Sequence, residues 1–328
     1  MSRYRRELPL LTGRPFLTDG GLETTLIFHG GFDLPEFASF VLLDDEKGTE
    51  SMRSYYRSYA DIAAEMGTGF VFGTPTWRAN PKWAGKLGYS GERLHDLNRR
   101  AVDFVAELRT EYDSRINEIV LSGDIGPHDD GYNPTEILKA KEAESYHSEQ
   151  IGVFAATKAD LVTALTITYS EEAIGIVWSA KSHGIPSVIS FTLETDGNLP
   201  SGQSLGEAIQ QVDQESGGPV FYMVNCAHPS HFDFVLDPGS EWTSRVYGTR
   251  VNASKMSHEE LDNAEVLDEG NPKELAADHS TLFANLPNLN IIGGCCGTNH
   301  EHVAEAARFL VGRKAAGAES RDQVSRLK

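Results

Sequence analysis

The sequence predicts an α/β protein folded as a single (β/α)8 barrel, and three observations predict it. Short β-rich runs alternate with longer helical patterns from one end of the 328-residue chain to the other, the signature of βα units around a parallel sheet. The runs number eight, and most are apolar at every position rather than at alternate ones. Strands packed between an inner core and an outer helical layer have that pattern. No Pro/Ser linker, solenoid-period repeat or low-complexity tract divides the chain, and barrels use about 200 to 300 residues as one unit. An open doubly wound sheet is the alternative with the same alternation.

Taken in order, strands are predicted at Pro15–Asp19, Gly69–Thr74, Ile119–Asp124, Leu161–Thr166, Ser187–Thr192, Val220–Asn225, Val246–Val251 and Ile291–Gly294. Helical patterns fall between them at Met52–Met66, Arg93–Tyr112, Ile137–Thr157, Glu171–His183, Leu205–Glu215, Pro272–Leu286 and His300–Lys314. Asn133-Pro134-Thr135-Glu136 and Ser170-Glu171-Glu172 place short polar side chains and early acids where unpaired amides and the helix dipole favour them. Phe28–Gly48, Thr195–Ser204 and Ala253–Gly270 read as long connections, which in compact domains tend to carry function. Residues 1–314 are therefore assigned to the barrel and 315–328 to a polar C-terminal tail.

The chain carries 29 Lys+Arg against 48 Asp+Glu, a formal net charge of −19. Such an excess of carboxylates repels nucleic-acid phosphates and anionic lipid, so neither is an expected partner. No apolar run approaches the roughly 18 residues of a spanning helix, and MSRYRRELPLLTG has no apolar core after its arginines. Cys226, Cys295 and Cys296 are the three cysteines, too few to suggest a disulfide scaffold. The expectation is an untargeted, soluble chain of the reducing cytoplasm, with homo-oligomerisation left open.

Barrel chemistry sits where the strands end at their C-termini, and every cysteine falls there. Cys226 follows VFYMVN and Cys295-Cys296 follow IIGG, at the predicted ends of strands six and eight. Adjacent cysteines cannot readily bond to each other, but with a third sulfur they can share one tetrahedral ion. Three soft sulfurs indicate zinc, and a position left open marks it as catalytic. The alternative is that the cysteines are small buried apolar side chains; their confinement to strand ends, with Gly293-Gly294 and Gly297 alongside, speaks against it. His228 reads as a hydrogen-bonding residue beside the site, with a fourth-ligand role that would close it as the alternative. His128-Asp129-Asp130 reads as a solvated loop, SHEELD at Ser257–Asp262 lacks the second histidine of a zincin helix, and DGGLET lacks the Walker lysine. Trp77, Trp83 and Trp178 read as core or interface aromatics, with an aromatic box for a methylated cation as the alternative.

Asp19-Gly20-Gly21, Val224-Asn225-Cys226 with Pro229, and Gly293-Gly294-Cys295-Cys296-Gly297-Thr298 resemble the homocysteine S-methyltransferase family across roughly Phe16 to Leu310. Gly123–Pro127, Ser190-Phe191-Thr192 and Asp196-Gly197 agree with it. The resemblance implies one (β/α)8 barrel whose zinc is held by Cys226, Cys295 and Cys296 and binds the thiol of homocysteine. It makes Gly20 and Gly21 a turn offering amides to the amino-acid carboxylate, with Asp19 shaping that pocket. Thr76 and Ala79 align after strand two, and Thr166 and Asn225 complete the expected contacts. Two positions depart from the family: Arg78 stands where an aromatic or polar residue is usual, and Leu165 stands where the family places the acid that holds the ammonium. Glu194 and Glu23 are the candidate replacements, and a thiol other than homocysteine is the other consequence.

Thiol alkylation at neutral pH needs the thiolate, while a free thiol with a pKa of about 8.5 is only a few per cent ionised. The expected function is a zinc-dependent methyl transfer to a small thiol, giving methionine if that thiol is homocysteine. Its donor is a sulfonium or ammonium compound of the S-methylmethionine, S-adenosylmethionine or betaine type. A zinc hydrolase on the same barrel and a zinc-binding thiol redox sensor are the alternatives.

Overall fold

The computed structural model describes residues 1–312, so the tail at 315–328 lies outside the described residues. Eight parallel strands close in sequence order into one barrel: β1 Phe16–Leu17, β2 Gly69–Gly73, β3 Ile119–Ile125, β4 Leu161–Ile167, β5 Ser187–Phe191, β6 Phe221–Asn225, β7 Val246–Val251 and β8 Ile291–Gly294. Closure comes from β1 pairing with both β2 and β8, through Phe16 with Gly69 and with Ile291. The doubly wound alternative is thereby excluded.

The uniform apolarity of the strands has its cause in this closure, since one face of each strand looks into the barrel and the other under a helix. Leu8, Leu10, Phe16, Val71, Val120, Leu161, Val188, Phe221, Met223 and Ile291 form an inner cluster. Around the outside, residues such as Phe70, Phe72, Val105, Phe154, Ile176 and Val212 pack the strands against helices Glu46–Met66, Gly91–Tyr112, Ala140–Ala155, Ser170–His183 and Leu205–Ser216. Thr18, Ser122, Asp124, Thr163 and Arg250 bring polar atoms into the barrel interior.

The predicted helices are present, those from Leu205, Pro272 and His300 starting where expected and the others with shifted starts. The first begins at Glu46 rather than Met52, because the Asp45 carboxylate accepts from the Gly48 amide and caps it. Asn133-Pro134-Thr135-Glu136 does not open a helix. Asp129 takes the amides of Thr135 and Glu136 and the Thr135 hydroxyl, holding a turn, and the helix starts at Ala140. Ser170 lies inside its helix and donates to Gln211 instead of capping. Within the connection Ala253–Gly270 lies a short helix, His258–Asp262, opened by a Ser257/Glu260 capping box.

Candidate active site

The ends of β6 and β8 lie on either side of β7, and the three cysteine sulfurs converge there. All three Sγ atoms lie within 4.8 Å of one another. Cys226 and Cys296 stand at 3.9 Å, while Cys226 and Cys295 are joined as a disulfide and Cys296 is the free thiol. The bond links the two strand ends, not the adjacent pair. Cys226 has φ +54°, an uncommon left-handed conformation that often marks functional sites. It persists because the Cys226 amide donates to the Arg250 carbonyl, and its own carbonyl accepts from His258 Nε2 at 2.7 Å and Asn252 Nδ2 at 3.1 Å.

Asn225, just before Cys226, ties three strand ends together. Its Oδ1 accepts from the Thr166 amide at 2.8 Å and the Ser190 hydroxyl at 2.6 Å, and its Nδ2 donates to Thr166 Oγ1. The same Nδ2 lies 4.0 Å from Cys295 Sγ. Thr166 itself has φ +62°, held by this amide clamp. The turn after β1 packs directly on the cysteine loop: a Cβ on Gly21 would stand 2.5 Å from the Cys295 carbonyl oxygen, so only glycine fits there.

Below the sulfurs, Arg250 reaches into the barrel from β7 and pairs with Asp19 at 2.7 Å, with Asp124 at 3.8 Å. Tyr55 donates to Asp19 at 3.1 Å. Burial outweighs the pull of Arg250 and raises both carboxyls, Asp124 to about 7. Above the sulfurs, Tyr132 from the β3 connection brings its hydroxyl to 3.5 Å from Cys296 Sγ. Its ring stacks on His258 at 4.0 Å, and His258 Nδ1 meets Glu194 Oε1 at 3.0 Å. Burial pushes the Cys296 thiol above its usual range.

The other expected residues separate into engaged and open groups. The Gly21 amide donates to the Thr298 carbonyl, and the Gly20 backbone is hydrogen-bonded to Tyr59. Neither is the free amide the resemblance implies, because the cysteine loop and the following helix close on this turn. Thr76 is fully buried and donates to the Asp124 carbonyl at 2.6 Å. His228 is bound to Ser230 through Nδ1 and faces Asp278 at 3.6 Å, and it is not among the converging ligands. Asp129 is not solvated but buried, paired with Lys82 at 2.7 Å. The tryptophan box is filled by protein cations: Arg78 lies between Trp77 and Trp83, and Lys141 covers Trp178. Glu23 and Arg78 are the least satisfied of the set.

Sequence reasoning missed Arg250, Asp124, His258 and Tyr132. Arg250 had a readable signal, a lone cation in VYGTRV. His258 was dismissed with its failed metal motif, and nothing local marks Tyr132.

A family model described as homocysteine S-methyltransferase matches residues 16–310. Homocysteine S-methyltransferase 1 of Brassica oleracea var. italica is 23% identical over 316 residues, covering 90% of this chain and 93% of that protein. Crystal structures of the homocysteine methyltransferase MmuM from Escherichia coli share the fold. The metallated form gives a TM-score of 0.70 at 17% identity, covering 91% of this chain and 98% of that one. The oxidised form gives 0.71 at 18% identity, covering 89% and 94%. With its eight-stranded barrel, its cysteines gathered at the ends of β6 and β8, and the family model spanning nearly all of the described chain, this protein belongs to the homocysteine S-methyltransferase family.

Proposed function

We propose that this chain methylates the thiol of homocysteine or a close amino-acid analogue, using zinc held by Cys226, Cys295 and Cys296. The observation that carries the reading is the convergence of three sulfurs at the barrel mouth. Zinc–sulfur bonds of about 2.3 Å in a tetrahedron place sulfurs ~3.8 Å apart; the Cys226–Cys296 separation of 3.9 Å has that spacing, and the bonded Cys226–Cys295 pair would reach it only once reduced. Three soft donors and no fourth protein ligand among the described residues match a catalytic centre with an open position. Zinc bound there supplies the Lewis acidity that keeps an incoming thiol deprotonated at neutral pH.

The chain's own residues set the sulfurs in place. Asn225 fixes the end of β6 beside Cys295, and the His258 and Asn252 bonds hold the Cys226 backbone. In the transfer, the substrate sulfur forms a bond to the methyl carbon as the donor's bond to that carbon breaks. A sulfonium or ammonium donor, of the S-methylmethionine, S-adenosylmethionine or betaine type, leaves as a neutral thioether or amine. The Cys226–Cys295 disulfide favours a second reading, a thiol redox sensor, because the same sulfurs cannot be oxidised and hold metal together.

Reduced, zinc-loaded protein given L-homocysteine and each donor in turn separates the two by mass spectrometry. Methionine formation, with zinc and activity lost in Cys296→Ser, supports the methyltransferase. Reversible zinc release by oxidant without turnover favours the sensor, and full activity in Cys296→Ser rejects the assigned centre.

A further inference from the structure

Two charged side chains at the barrel mouth keep donors or acceptors that no close ion pair uses. Arg78 is only 7% exposed, yet its nearest acid, Asp130, stands at 4.0 Å. One Nη reaches the Asp129 carbonyl at 3.5 Å, and its buried Nε has no hydrogen-bond partner. Trp77 and Trp83 hold the guanidinium flat at 4.1 and 3.6 Å from their ring centres, so its position is set by stacking and its donors are left over. Glu23, on the turn after β1, accepts from the neutral Ser39 hydroxyl at 2.7 Å. No Lys, Arg or His forms an ion pair with it among the described residues, and burial raises its carboxyl. Glu23 is half-buried and Arg78 buried with its Nε unpaired, and desolvated charged atoms with unused donors or acceptors are unfavourable unless a ligand completes them.

The two are opposite in sign and form no ion pair with each other, and Ser39 links their loops: its hydroxyl donates to Glu23 at 2.7 Å and lies 3.5 Å from the carbonyl of Pro75, three residues before Arg78. The turn that carries Glu23 packs through Gly21 on the Cys295 carbonyl, and Trp77, stacked on Arg78, donates to the Leu165 carbonyl beside the Thr166–Asn225 clamp, so the acid, the guanidinium and the sulfurs share one mouth. We propose that Glu23 and Arg78 together recognise the zwitterionic head of an α-amino-acid thiol, Glu23 taking the ammonium and Arg78 the carboxylate. This rests on the thiol-methylation reading and specifies its substrate class. It supplies both charges that the family pattern leaves unmet here. Leu165, near the C-terminal end of β4, provides no acid there, and the Gly21 amide is already committed to Thr298. Glu194 is not the replacement, because it is held by His258. Arg78, filling the space between the tryptophans, acts as a carboxylate receptor where an empty aromatic pair would have selected a cation.

The test is calorimetric binding to reduced, zinc-loaded protein of three thiols: L-homocysteine, 4-sulfanylbutanoate, which lacks the ammonium, and 3-sulfanylpropan-1-amine, which lacks the carboxylate. Wild-type protein is expected to bind L-homocysteine roughly tenfold to hundredfold more tightly than either analogue, the worth of one charged hydrogen bond. Glu23→Gln should weaken L-homocysteine by that factor while leaving 4-sulfanylbutanoate unchanged or tighter. Arg78→Gln should weaken L-homocysteine and 4-sulfanylbutanoate but not 3-sulfanylpropan-1-amine. Zinc content and circular dichroism confirm that each variant is folded and loaded; if Arg78→Gln does not fold, Arg78→Lys, which keeps the charge but not the guanidinium fork, takes its place with the same expected pattern. Equal wild-type affinity for all three thiols, or variants that weaken all three alike, overturns the assignment while leaving thiol binding intact. Binding of none of the three by zinc-loaded wild type overturns the methylation reading as well.

Discussion

Replacing Asp124 with asparagine tests whether the barrel interior holds a carboxyl that titrates near neutrality. Asp124 is buried, accepts from Ser122 at 2.6 Å and faces Arg250 at 3.8 Å, with Asp19 sharing the same cation. One guanidinium cannot fully compensate two buried carboxylates, and desolvation raises Asp124 from 3.8 to about 7. An acid raised in the folded state binds its proton more tightly there than in the unfolded chain. It therefore contributes stability below its unfolded pKa that is lost as pH rises through its folded pKa. With values of 3.8 and about 7, linkage gives a contribution of about 2.7 kcal/mol at pH 5, ~1.4 at pH 6, ~0.4 at pH 7 and near zero at pH 8. Asparagine keeps an oxygen for Ser122 and cannot ionise. Urea unfolding of both proteins from pH 5 to 8 should thus show Asp124→Asn gaining on wild type by about 2 to 3 kcal/mol as pH rises. Parallel curves, with a difference changing by less than ~1 kcal/mol, would refute a proton held on Asp124.

Arg250→Met strands Asp19 and Asp124 in the barrel, so it should destabilise the fold at pH 8 by about 3 to 5 kcal/mol, with part of the loss recovered at pH 6 in the same unfolding assay. Asn225→Ala orphans the Thr166 amide and Ser190 hydroxyl and should lose roughly 2 to 4 kcal/mol; a melting temperature matching wild type would contradict the clamp. Tyr132→Phe removes only the hydroxyl near Cys296 and should leave stability within ~1 kcal/mol. Its zinc affinity, read by chelator competition, should fall about tenfold, and an unchanged affinity would remove Tyr132 from the centre.

Strand positions and the cysteine ends were legible because both are local. Leu161–Ile167 and Ile291–Gly294 are apolar at nearly every position, as only doubly covered strands are, and Cys226, Cys295 and Cys296 stand where such runs stop. The helix starts were less legible because capping is a competition: Asp129 captures the amides that Asn133 was expected to lead. Closure of β1 on β8 joins residues 275 apart, Phe16 and Ile291, which no local window contains.

By itself, then, the sequence determined the alternation of elements, the barrel class and the three sulfurs, since hydrophobic period and residue type act over a few neighbours. Which charges are spent and which remain free was decided only in three dimensions. Glu194 was an equal candidate to Glu23 until His258 arrived from 64 residues away to occupy it. Arg78 was an odd substitution until two tryptophans fixed it in place, with Asp130 no nearer than 4.0 Å. Arg250 and Asp19, 231 positions apart in the chain, meet in the barrel at 2.7 Å. A side chain's pairing depends on the field of everything packed around it, and that field exists only once the barrel has closed.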